Sequence, residues 1–219
     1  MPAVLGYWKI RGLATAARYM LAYTDTEWED AMYECGAEPP YDRSSWLEKK
    51  FTLGLGPFAN LPYFIDGDVK IVESNAILRY IGDQHNLCGT TKEEKAYCNM
   101  YEHVVMGFRN GFVGLCYDKK GFEERRAPYI KELKETKLPK FAEALGDKKF
   151  LCGDNITFPD FHFFELLDQH LTFEPGCLDD FPTLKAYHER IAELPKIKAY
   201  RASDRFVARP VNNPSAQWK

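Results

Sequence analysis

The chain has 219 residues, of which 45% are hydrophobic and 28% are charged, a composition typical of a globular protein with one large or two small domains. Its 29 basic and 32 acidic residues give a net charge of −3. This balance provides no electrostatic basis for binding nucleic acid or an anionic membrane surface.

No segment has the composition of a membrane-spanning or secretory sequence. The apolar runs are all shorter than the roughly 20 residues that a membrane helix requires. The first residues, Met1-Pro2-Ala3-Val4, lack the basic region and the cleavage site of a signal peptide. The six cysteines form neither a C-x-x-C pair nor a zinc-ligand spacing. We therefore expect reduced thiols, no metal and a cytoplasmic location.

Residues 1–85 alternate between strand and helix patterns. Residues 3–8 form a short apolar run that ends before an Arg-Gly pair, which predicts a buried strand. Residues 15–23 have apolar side chains at helical spacing, and residues 28–33 place apolar residues among acids, which indicates a second strand. The first three elements therefore have the order βαβ.

A hairpin and a helix complete this part of the chain. The Asp-Gly pair at 66–67 separates two strand patterns at 62–65 and 69–72, which is a strong hairpin signal. Ser74 can cap a helix over residues 75–84. A parallel pair with a right-handed crossover and an added hairpin gives a small mixed sheet, and the order βαβ-ββα resembles the thioredoxin fold.

From Thr90 onward only helical patterns remain. The sequence therefore predicts a thioredoxin-like domain over residues 1–85, a short polar linker over 86–90 and an all-helical bundle domain over 91–219. The fold class is α/β plus all-α. The predicted helices of the second domain span residues 92–117, 125–145, 157–171 and 182–202.

Thr157 and Asp160 stand at the two ends of a capping-box pattern. The Thr157 side chain can cap the amide of Asp160, and the Asp160 carboxylate can reach back to the amide of Thr157. A structural role at the start of a core helix is therefore favoured for Asp160 over a catalytic one.

Short motifs spread over nearly the whole chain form a specific combination. They are Leu5-Gly6-Tyr7-Trp8, Ile10-Arg11-Gly12-Leu13, Tyr41-Asp42-Arg43-Ser44 with Trp46, Lys50 and Phe51, Asn60-Leu61-Pro62-Tyr63, Ser74-Asn75-Ala76-Ile77-Leu78 and Arg209-Pro210-Val211. Together with the domain order, they resemble the mu class of cytosolic glutathione transferases. The resemblance implies an enzyme that conjugates the glutathione thiolate to electrophilic hydrophobic substrates in detoxification. It also implies a homodimer with no cofactor other than glutathione as co-substrate.

The resemblance assigns the catalytic role to Tyr7. A hydroxyl that donates a hydrogen bond to sulfur stabilises the nucleophilic thiolate. Such a charge-assisted bond contributes roughly 1.5–3 kcal/mol, or about one to two pKa units. Since the chain contains 13 tyrosines, Tyr7 by itself would be interpreted as a core residue with a satisfied hydroxyl. The surrounding motifs favour the functional interpretation.

The resemblance also implies a set of glutathione-binding residues. The segment before Pro62 resembles a cis-proline turn that aims the Leu61 backbone at the cysteinyl part of the ligand, although an ordinary strand-initiating proline is also consistent with the pattern. Ser74 and the helix after it suit the γ-glutamyl carboxylate, or serve only as a cap. Basic groups near Trp46 suit the glycyl carboxylate, or form a solvated face. The full set is Tyr7, Trp8, Arg43, Trp46, Lys50, Asn60, Leu61, Pro62, Glu73 and Ser74.

The electrophile is expected beside Tyr7, against the helical domain. Tyr117 is a candidate second hydroxyl donor to a developing oxyanion. Plain core packing is the competing interpretation for Met106 and Tyr117, which share a face of one predicted helix. By resemblance, the walls of this site are Trp8, Ile10, Leu13, Met106, Arg109, Asn110, Tyr117, Asn212 and Asn213.

The chain departs from the mu-class pattern at several positions. Glu73 stands where the class usually has Gln, and Gly107 stands where the partner subunit usually supplies an Asp. The turn over residues 56–60 is one residue longer than usual, but Phe58 still resembles the aromatic key that inserts into the partner subunit. These changes affect the expected substrate range more than the reaction.

Two other function classes compete with the transferase. A thioredoxin-like oxidoreductase would need a cysteine at the end of the first strand, but Tyr7-Trp8 stand there and residues 1–34 contain no cysteine. A non-catalytic protein that binds glutathione or apolar ligands is the main alternative, and the intact Tyr7 argues against it. Conjugation of a chlorinated nitroarene with and without glutathione distinguishes these functions.

Overall fold

The computed structural model describes residues 2–219, and its N-terminal part is built on a four-stranded sheet with the strand order β2-β1-β3-β4. The central strand β1 (Ala3–Trp8) pairs in parallel with β2 (Trp28–Tyr33) and antiparallel with β3 (Tyr63–Asp66). The edge strand β4 (Val69–Val72) completes the predicted hairpin with β3.

Three helices accompany this sheet: α1 (Thr15–Tyr23), the short α2 (Ser44–Leu47) and α3 (Ser74–Gln84). The predicted thioredoxin-like order is confirmed, and α2 is an addition that the sequence patterns did not predict. The prediction that Ser74 caps α3 is wrong. Glu73 occupies the cap position with a φ of 73°, and Ser74 is the first helical residue.

The rest of the chain is helical, which confirms the predicted second half of the fold. The long α4 begins after a capping box formed by Thr91 and Glu94. None of the helices within residues 2–219 has both the length and the apolar character needed to cross a membrane. The elements are α4 (Lys92–Cys116), α5 (Phe122–Glu132), a π-helical turn (Leu133–Lys137), α6 (Leu138–Leu145), α7 (Phe158–Phe173), α8 (Pro182–Ala192) and α9 (Pro195–Arg201).

Two predicted helices are interrupted, each beside a proline. The helix predicted over 125–145 begins earlier and changes to a π-helical turn ahead of Pro139, which cannot donate an amide hydrogen bond to residue 135. The helix predicted over 182–202 breaks before Pro195, because the ring of proline disfavours helical geometry in Leu194, whose ψ is 126°.

Helix α7 lies in the core of the molecule, and its predicted capping box is confirmed. The Asp160 carboxylate accepts hydrogen bonds from the amides of Thr157 and Leu151, both at 2.8 Å, and from the Tyr187 hydroxyl at 2.9 Å. Burial raises the pKa of Asp160, although each of these bonds favours the ionised form. Asp160 therefore joins α7 to α8 and to the preceding loop.

A buried ionic network joins the loop between β1 and α1 to α7. Arg11 donates to both carboxylate oxygens of Glu165, at 2.9 and 2.6 Å, and to Asp168 at 2.6 Å. Arg201 also donates to Asp168, at 3.0 Å. A side-chain hydrogen bond with His188, at 3.1 Å, and these two cations hold the pKa of Asp168 below its usual range despite the opposing effect of burial. The network fixes the loop that follows Tyr7 against the helical part of the chain.

Candidate active site

Tyr7 lies near the end of β1, and the following loop crosses directly over its hydroxyl. The side chain of Tyr7 is 6% exposed. Gly12 has a φ of 45°, and a Cβ atom at this position would lie 2.7 Å from the Tyr7 hydroxyl oxygen. The C-terminal tail holds this loop in place, since the amides of Arg11 and Gly12 donate to the carbonyls of Pro210 and Val211, both at 3.0 Å. Glycine is therefore required where the loop passes the Tyr7 hydroxyl.

Two further polar side chains from the end of α4 face the same region. Burial lowers the pKa of Arg109, while the nearby hydroxyls of Tyr7 and Tyr117 act in the opposite direction. The Tyr117 hydroxyl accepts a hydrogen bond from the amide of Asn213 at 2.9 Å, and burial raises its pKa. A neutral Tyr117 hydroxyl therefore keeps its proton available for a ligand oxygen.

A cavity of about 320 Å³, here named the α3–α4 cavity, is lined by Arg109 but not by Tyr7 or Tyr117. It places the start of α3, with its free backbone amides, opposite the middle of α4. The side-chain oxygen of Asn75 is buried at this point without a hydrogen-bond partner in residues 2–219. The cavity is lined by Leu13, Glu73, Ser74, Asn75, Met106, Arg109 and Asn110.

This cavity brings together residues that the sequence assigned to two different ligands. Glu73 and Ser74 were predicted to bind glutathione, whereas the four lining residues from α4 and the β1–α1 loop were predicted to contact the electrophile. Their proximity places the two predicted binding regions side by side.

A larger groove of about 610 Å³ lies between the ends of β1 and β2 and the C-terminal tail. Of the predicted residues, Ile10 and Asn213 line it. Asn212 lines neither the groove nor the α3–α4 cavity. Its side chain is 3% exposed and donates to the carbonyl of Trp218 at 3.1 Å, so it fixes the tail.

Three further predicted glutathione residues, Arg43, Trp46 and Lys50, lie in and around α2. Trp46 is buried and stacks on Tyr63 with their ring centroids 5.9 Å apart. Backbone hydrogen bonds hold Arg43 and Lys50 close to Trp46. The Trp46 amide donates to the Arg43 carbonyl, and the Lys50 amide donates to the Trp46 carbonyl. Arg43 is exposed and Lys50 is partly exposed. None of these residues lines the α3–α4 cavity.

The Leu61–Pro62 segment has the geometry that the sequence suggested. Its peptide bond is cis. Leu61 and Pro62 are buried, whereas Asn60 is exposed. Trp8 is partly exposed next to the buried Tyr7.

Sequence reasoning missed two contributors to this region. The motifs predict no binding role for Asn75, although its position after Ser74 places it in the first turn of α3. Arg11 was interpreted as the end of a strand pattern, and no local signal pointed to its partners on α7, which lie more than 150 residues away in the chain.

Comparison with known proteins identifies the family. A family model described as glutathione S-transferase, N-terminal domain, matches residues 3–83, and one described as glutathione S-transferase, C-terminal domain, matches residues 106–204. The chain is 49% identical to glutathione S-transferase Mu 3 of Homo sapiens over 215 residues, which cover 98% of this chain and 94% of that protein. The chain belongs to the glutathione S-transferase family.

Further relatives agree with this assignment. Glutathione S-transferase Mu 1 of Oryctolagus cuniculus is 48% identical over 218 residues, which cover 100% of this chain and 99% of that protein. A solved pi-class glutathione S-transferase of Onchocerca volvulus superposes with a TM-score of 0.87 at 32% identity, covering 99% of this chain and 100% of that chain. The glutathione S-transferase Blo t 8 superposes with a TM-score of 0.89 at 31% identity, covering 98% of each chain.

The resemblance inferred from the motifs is thereby confirmed, including the mu class. The family also confirms the predicted fold class, and it identifies the protein as an enzyme, a glutathione transferase.

Proposed function

We propose that this glutathione S-transferase adds the thiolate of glutathione to electrophilic carbon atoms of hydrophobic substrates, with Tyr7 as the catalytic residue. The observation that carries the proposal is the position of the Tyr7 hydroxyl. It lies at the end of β1 beneath a glycine, and near a buried cation that lines the α3–α4 cavity.

The chemistry follows from the ionisation of the thiol. A thiol with a pKa of about 8.5 is mostly protonated at neutral pH, and only the thiolate is strongly nucleophilic. Donation of a hydrogen bond from Tyr7 to sulfur favours the thiolate over the thiol. The thiolate then attacks the electrophile and forms the carbon–sulfur bond, while the Tyr117 hydroxyl donates to an oxygen that gains negative charge.

Glutathione is proposed to extend along the edge of the first domain, residues 1–85. Its γ-glutamyl group would lie at the start of α3, where Ser74 and the helix amides suit the carboxylate and Glu73 suits the ammonium group. The backbone of Leu61 before Pro62 would contact the cysteinyl part. The glycyl carboxylate would lie near Trp46, between the two basic side chains that flank it.

The second domain, residues 91–219 after the linker at 86–90, is proposed to carry the electrophile. Leu13 and Met106 supply apolar walls on the α3–α4 cavity, and Arg109 and Asn110 add polar groups there. Trp8, Ile10 and Asn213 would extend this site toward the tail. We propose no cofactor beyond glutathione, and a cytoplasmic location in keeping with six free cysteines.

A conjugation assay with a chlorinated nitroarene tests the proposal. Wild-type protein should form the conjugate only when glutathione is present. Tyr7→Phe should keep glutathione binding but raise the pKa of the bound thiol, so turnover near neutral pH should fall roughly ten- to a hundredfold. Ultraviolet titration of the bound thiolate measures this pKa directly.

Tyr80→Phe provides the matched control, because Tyr80 is partly exposed on α3, donates to Asp66 at 3.0 Å and belongs to neither cavity. This variant should titrate and turn over like the wild type. An identical thiolate titration in Tyr7→Phe and wild type would remove Tyr7 from the mechanism.

We also propose a homodimer in which Phe58 docks on the partner subunit. Phe58 is 80% exposed, which is unusual for so large an apolar side chain. The helical half carries a groove of about 430 Å³ between α4 and the π-helical turn and α6, here named the α4–α6 groove. Its walls include the exposed Met100 and Val104 and the buried rings of Phe108 and Phe141. A phenylalanine ring matches this lining in chemistry.

A further inference from the structure

Arg109 is a buried cation without an anionic partner in residues 2–219. Its side chain is 8% exposed, and its Nε atom is buried with no hydrogen-bond acceptor. The other two buried arginines differ from it. Arg11 is paired with carboxylates at 2.6 Å, and Arg18 is paired with Asp30 at 2.8 Å.

The nearby acidic groups do not neutralise this cation. Glu165 is close enough to influence Arg109, but its carboxylate is already bound by Arg11 and by the amide of Gln169 at 2.7 Å. Glu73 lines the same cavity but is exposed to solvent, with no bond to the guanidinium. On its inner side, Arg109 faces His162, whose Nδ1 atom is also without a partner.

A buried, uncompensated charge is destabilising unless a ligand of opposite charge reaches it. Arg109 lines the α3–α4 cavity, where Leu13 and Met106 provide apolar contacts. A planar guanidinium that is buried beside apolar side chains and has free donors is suited to a carboxylate, which it binds through two parallel hydrogen bonds.

We propose that Arg109 makes this enzyme selective for electrophiles that carry a carboxylate group. The inference rests on the proposed function, because it concerns the second substrate of the same reaction. The carboxylate would neutralise the guanidinium while the apolar body of the electrophile contacts Leu13 and Met106. Its reactive carbon would then lie toward Tyr7, whose hydroxyl is close to Arg109.

A carboxylate substrate and its neutral ester test the proposal, because their intrinsic difference in reactivity is the same for every variant. 4-Chloro-3,5-dinitrobenzoate and its methyl ester share the same reactive carbon and leaving group. The ratio of kcat/KM for the acid to kcat/KM for the ester is compared in wild type, Arg109→Gln and Arg109→Lys. Arg109→Gln should lower this ratio roughly ten- to a hundredfold, as expected for loss of a hydrogen-bonded charge pair. Arg109→Lys keeps the charge but not the two-pronged geometry, so the ratio should fall to an intermediate value.

Arg125→Gln is the matched control, because Arg125 is an exposed arginine that pairs with Asp118 away from the cavity. Arg125→Gln should leave the ratio unchanged, which separates a local effect from the net charge of the protein.

An unchanged ratio in Arg109→Gln, with both substrates still conjugated, overturns the selectivity proposal and leaves the transferase function intact. If Arg109→Gln instead raises the KM for glutathione with no change in the ratio, the guanidinium binds the glutathione carboxylate and the proposal is also overturned. Failure of wild-type protein to conjugate either substrate would contradict the proposed function itself.

A separate observation concerns two cysteines far apart in the sequence. The Sγ atoms of Cys98 and Cys152 lie 3.3 Å apart. Cys98 is fully buried in α4, whereas Cys152 is partly exposed in the loop before α7. Cys152 also lines a cavity of about 360 Å³ whose polar rim includes Asn86, Thr90 and Asn155. The Cys152 sulfur therefore faces an open cavity, while Cys98 remains behind it.

The geometry points to an intramolecular disulfide between Cys98 and Cys152, formed by exchange with glutathione disulfide. After the hydrogen-bonded pair of thiols loses one proton, the accessible Cys152 sulfur attacks one sulfur of glutathione disulfide, which gives a mixed disulfide and releases one glutathione. Cys98 then loses its proton and attacks the Cys152 sulfur, which closes the protein disulfide and releases a second glutathione. Two protein thiols are oxidised, and one glutathione disulfide is reduced.

Mass spectrometry of protein incubated with glutathione disulfide tests this exchange. The wild type should lose the mass of two hydrogen atoms and show a peptide pair linked through Cys98 and Cys152. In Cys98→Ser the reaction should end at the mixed disulfide between Cys152 and glutathione. In Cys152→Ser the buried Cys98 should remain unmodified. Cys177→Ser, which changes another buried cysteine, should behave like the wild type. A stable mixed disulfide on Cys152 in the wild type, or the absence of any linked peptide, would contradict the inference.

Discussion

Glu73 combines an unfavourable backbone conformation with a charged side chain at the proposed glutathione site. Its φ of 73° lies in the left-handed region, which costs a residue other than glycine of order 1 kcal/mol. Glu73 is the single residue between β4 and α3, so the chain must change direction at this residue and the two elements hold its conformation. The side chain is exposed and lines the α3–α4 cavity. Its carboxylate is therefore positioned to meet a ligand cation.

Glu73→Gln should raise the KM for glutathione several-fold with little change in kcat. A carboxylate accepts a hydrogen bond from an ammonium group more strongly than an amide does, by about 1 kcal/mol or more. Binding of glutathione and of its des-amino analogue is the decisive measurement. If wild type and Glu73→Gln discriminate equally between these two ligands, Glu73 does not recognise the amine and only favours the helix start electrostatically.

Gly107→Asp supplies the complementary test. A Cβ atom at Gly107 would meet nothing within 4 Å, so the subunit itself tolerates the substitution. Added to Glu73→Gln, it should restore part of the lost affinity if the new carboxylate reaches across a dimer interface. Gly107 also lines the α4–α6 groove. Sedimentation must therefore show the same oligomeric state for Glu73→Gln and for the double variant Glu73→Gln, Gly107→Asp.

At the scale of elements, the β1–α1 loop and α7 depend on each other through Arg11. This loop carries Gly12 over the Tyr7 hydroxyl, and α7 supplies the two carboxylates that hold it. Arg11, Glu165 and Asp168 are almost completely buried, so water cannot compensate the charge of any of them if its partner is removed.

Arg11→Met should lower the free energy of unfolding by about 3–5 kcal/mol, since Glu165 and Asp168 would remain buried with fewer partners. Adding Glu165→Gln should recover part of this loss. Urea unfolding measures both effects. Lys9→Met is the control, because its ion pair with Glu34 is exposed and should contribute less than about 1 kcal/mol. Equal losses in Arg11→Met and Lys9→Met would show that the buried network has no special role.

Helix α7 also contains a histidine that folds in its neutral form. The Nδ1 atom of His170 donates to the Leu166 carbonyl at 2.7 Å, so Nε2 accepts from the Tyr129 hydroxyl, also at 2.7 Å. The ring stacks on Phe108 and also contacts Phe112, whose ring is tilted against it. Burial, together with Lys137, lowers the pKa of His170 from 6.5 to about 4.

The stability of the protein should therefore fall as the pH drops from about 6.5 to about 4. In this window the unfolded chain binds a proton that folded His170 does not, and full stability is present only above the unfolded pKa. The contribution of this group amounts to roughly 3 kcal/mol. Urea unfolding at several pH values should give a shallower pH dependence for His170→Gln than for wild type, whatever the stability of the variant at pH 7. Parallel curves would assign the acid sensitivity to other groups, such as the buried His162.

At the scale of the whole molecule, the exposed apolar surface is the basis of the proposed twofold dimer. Phe58 protrudes from the N-terminal half, and the α4–α6 groove lies on the helical half. Tyr97, Met100 and Val104 form an exposed apolar row along α4 beside this groove. A twofold axis would pair each Phe58 with the groove of the other subunit and thus form the contact twice.

Phe58→Ala should therefore weaken the dimer. Burial of a phenylalanine contributes about 1.5–3 kcal/mol per contact, so loss of two contacts should raise the dimer dissociation constant roughly a hundredfold or more. Sedimentation at a series of concentrations measures this change. Phe51→Ala is the matched control, because Phe51 is similarly exposed, at 78%, but carries no proposed contact. A wild-type monomer at micromolar concentration would contradict the dimer.

The sequence by itself determined the features that depend on near neighbours. The strand over residues 28–33, the Asp-Gly turn and the capping box at Thr157 and Asp160 each depend on residues within a few positions of one another, and all three are present in the structure. The motifs around Tyr7 identified the family for the same reason, since each is a short run of residue types. The interruptions next to Pro139 and Pro195 show that helical periodicity alone does not fix where a helix ends.

Only the tertiary structure decided which polar groups have partners. Arg11 and Arg109 are both buried arginines, but one meets two carboxylates of α7 and the other faces a cavity. Asn212 and Asn213 are adjacent in sequence, yet the first fixes the tail and the second lines a groove. Cys98 and Cys152 are separated by 54 positions and meet through the packing of α4 against the loop before α7. The physical reason is that burial and pairing depend on contacts between distant segments, which local propensity does not encode.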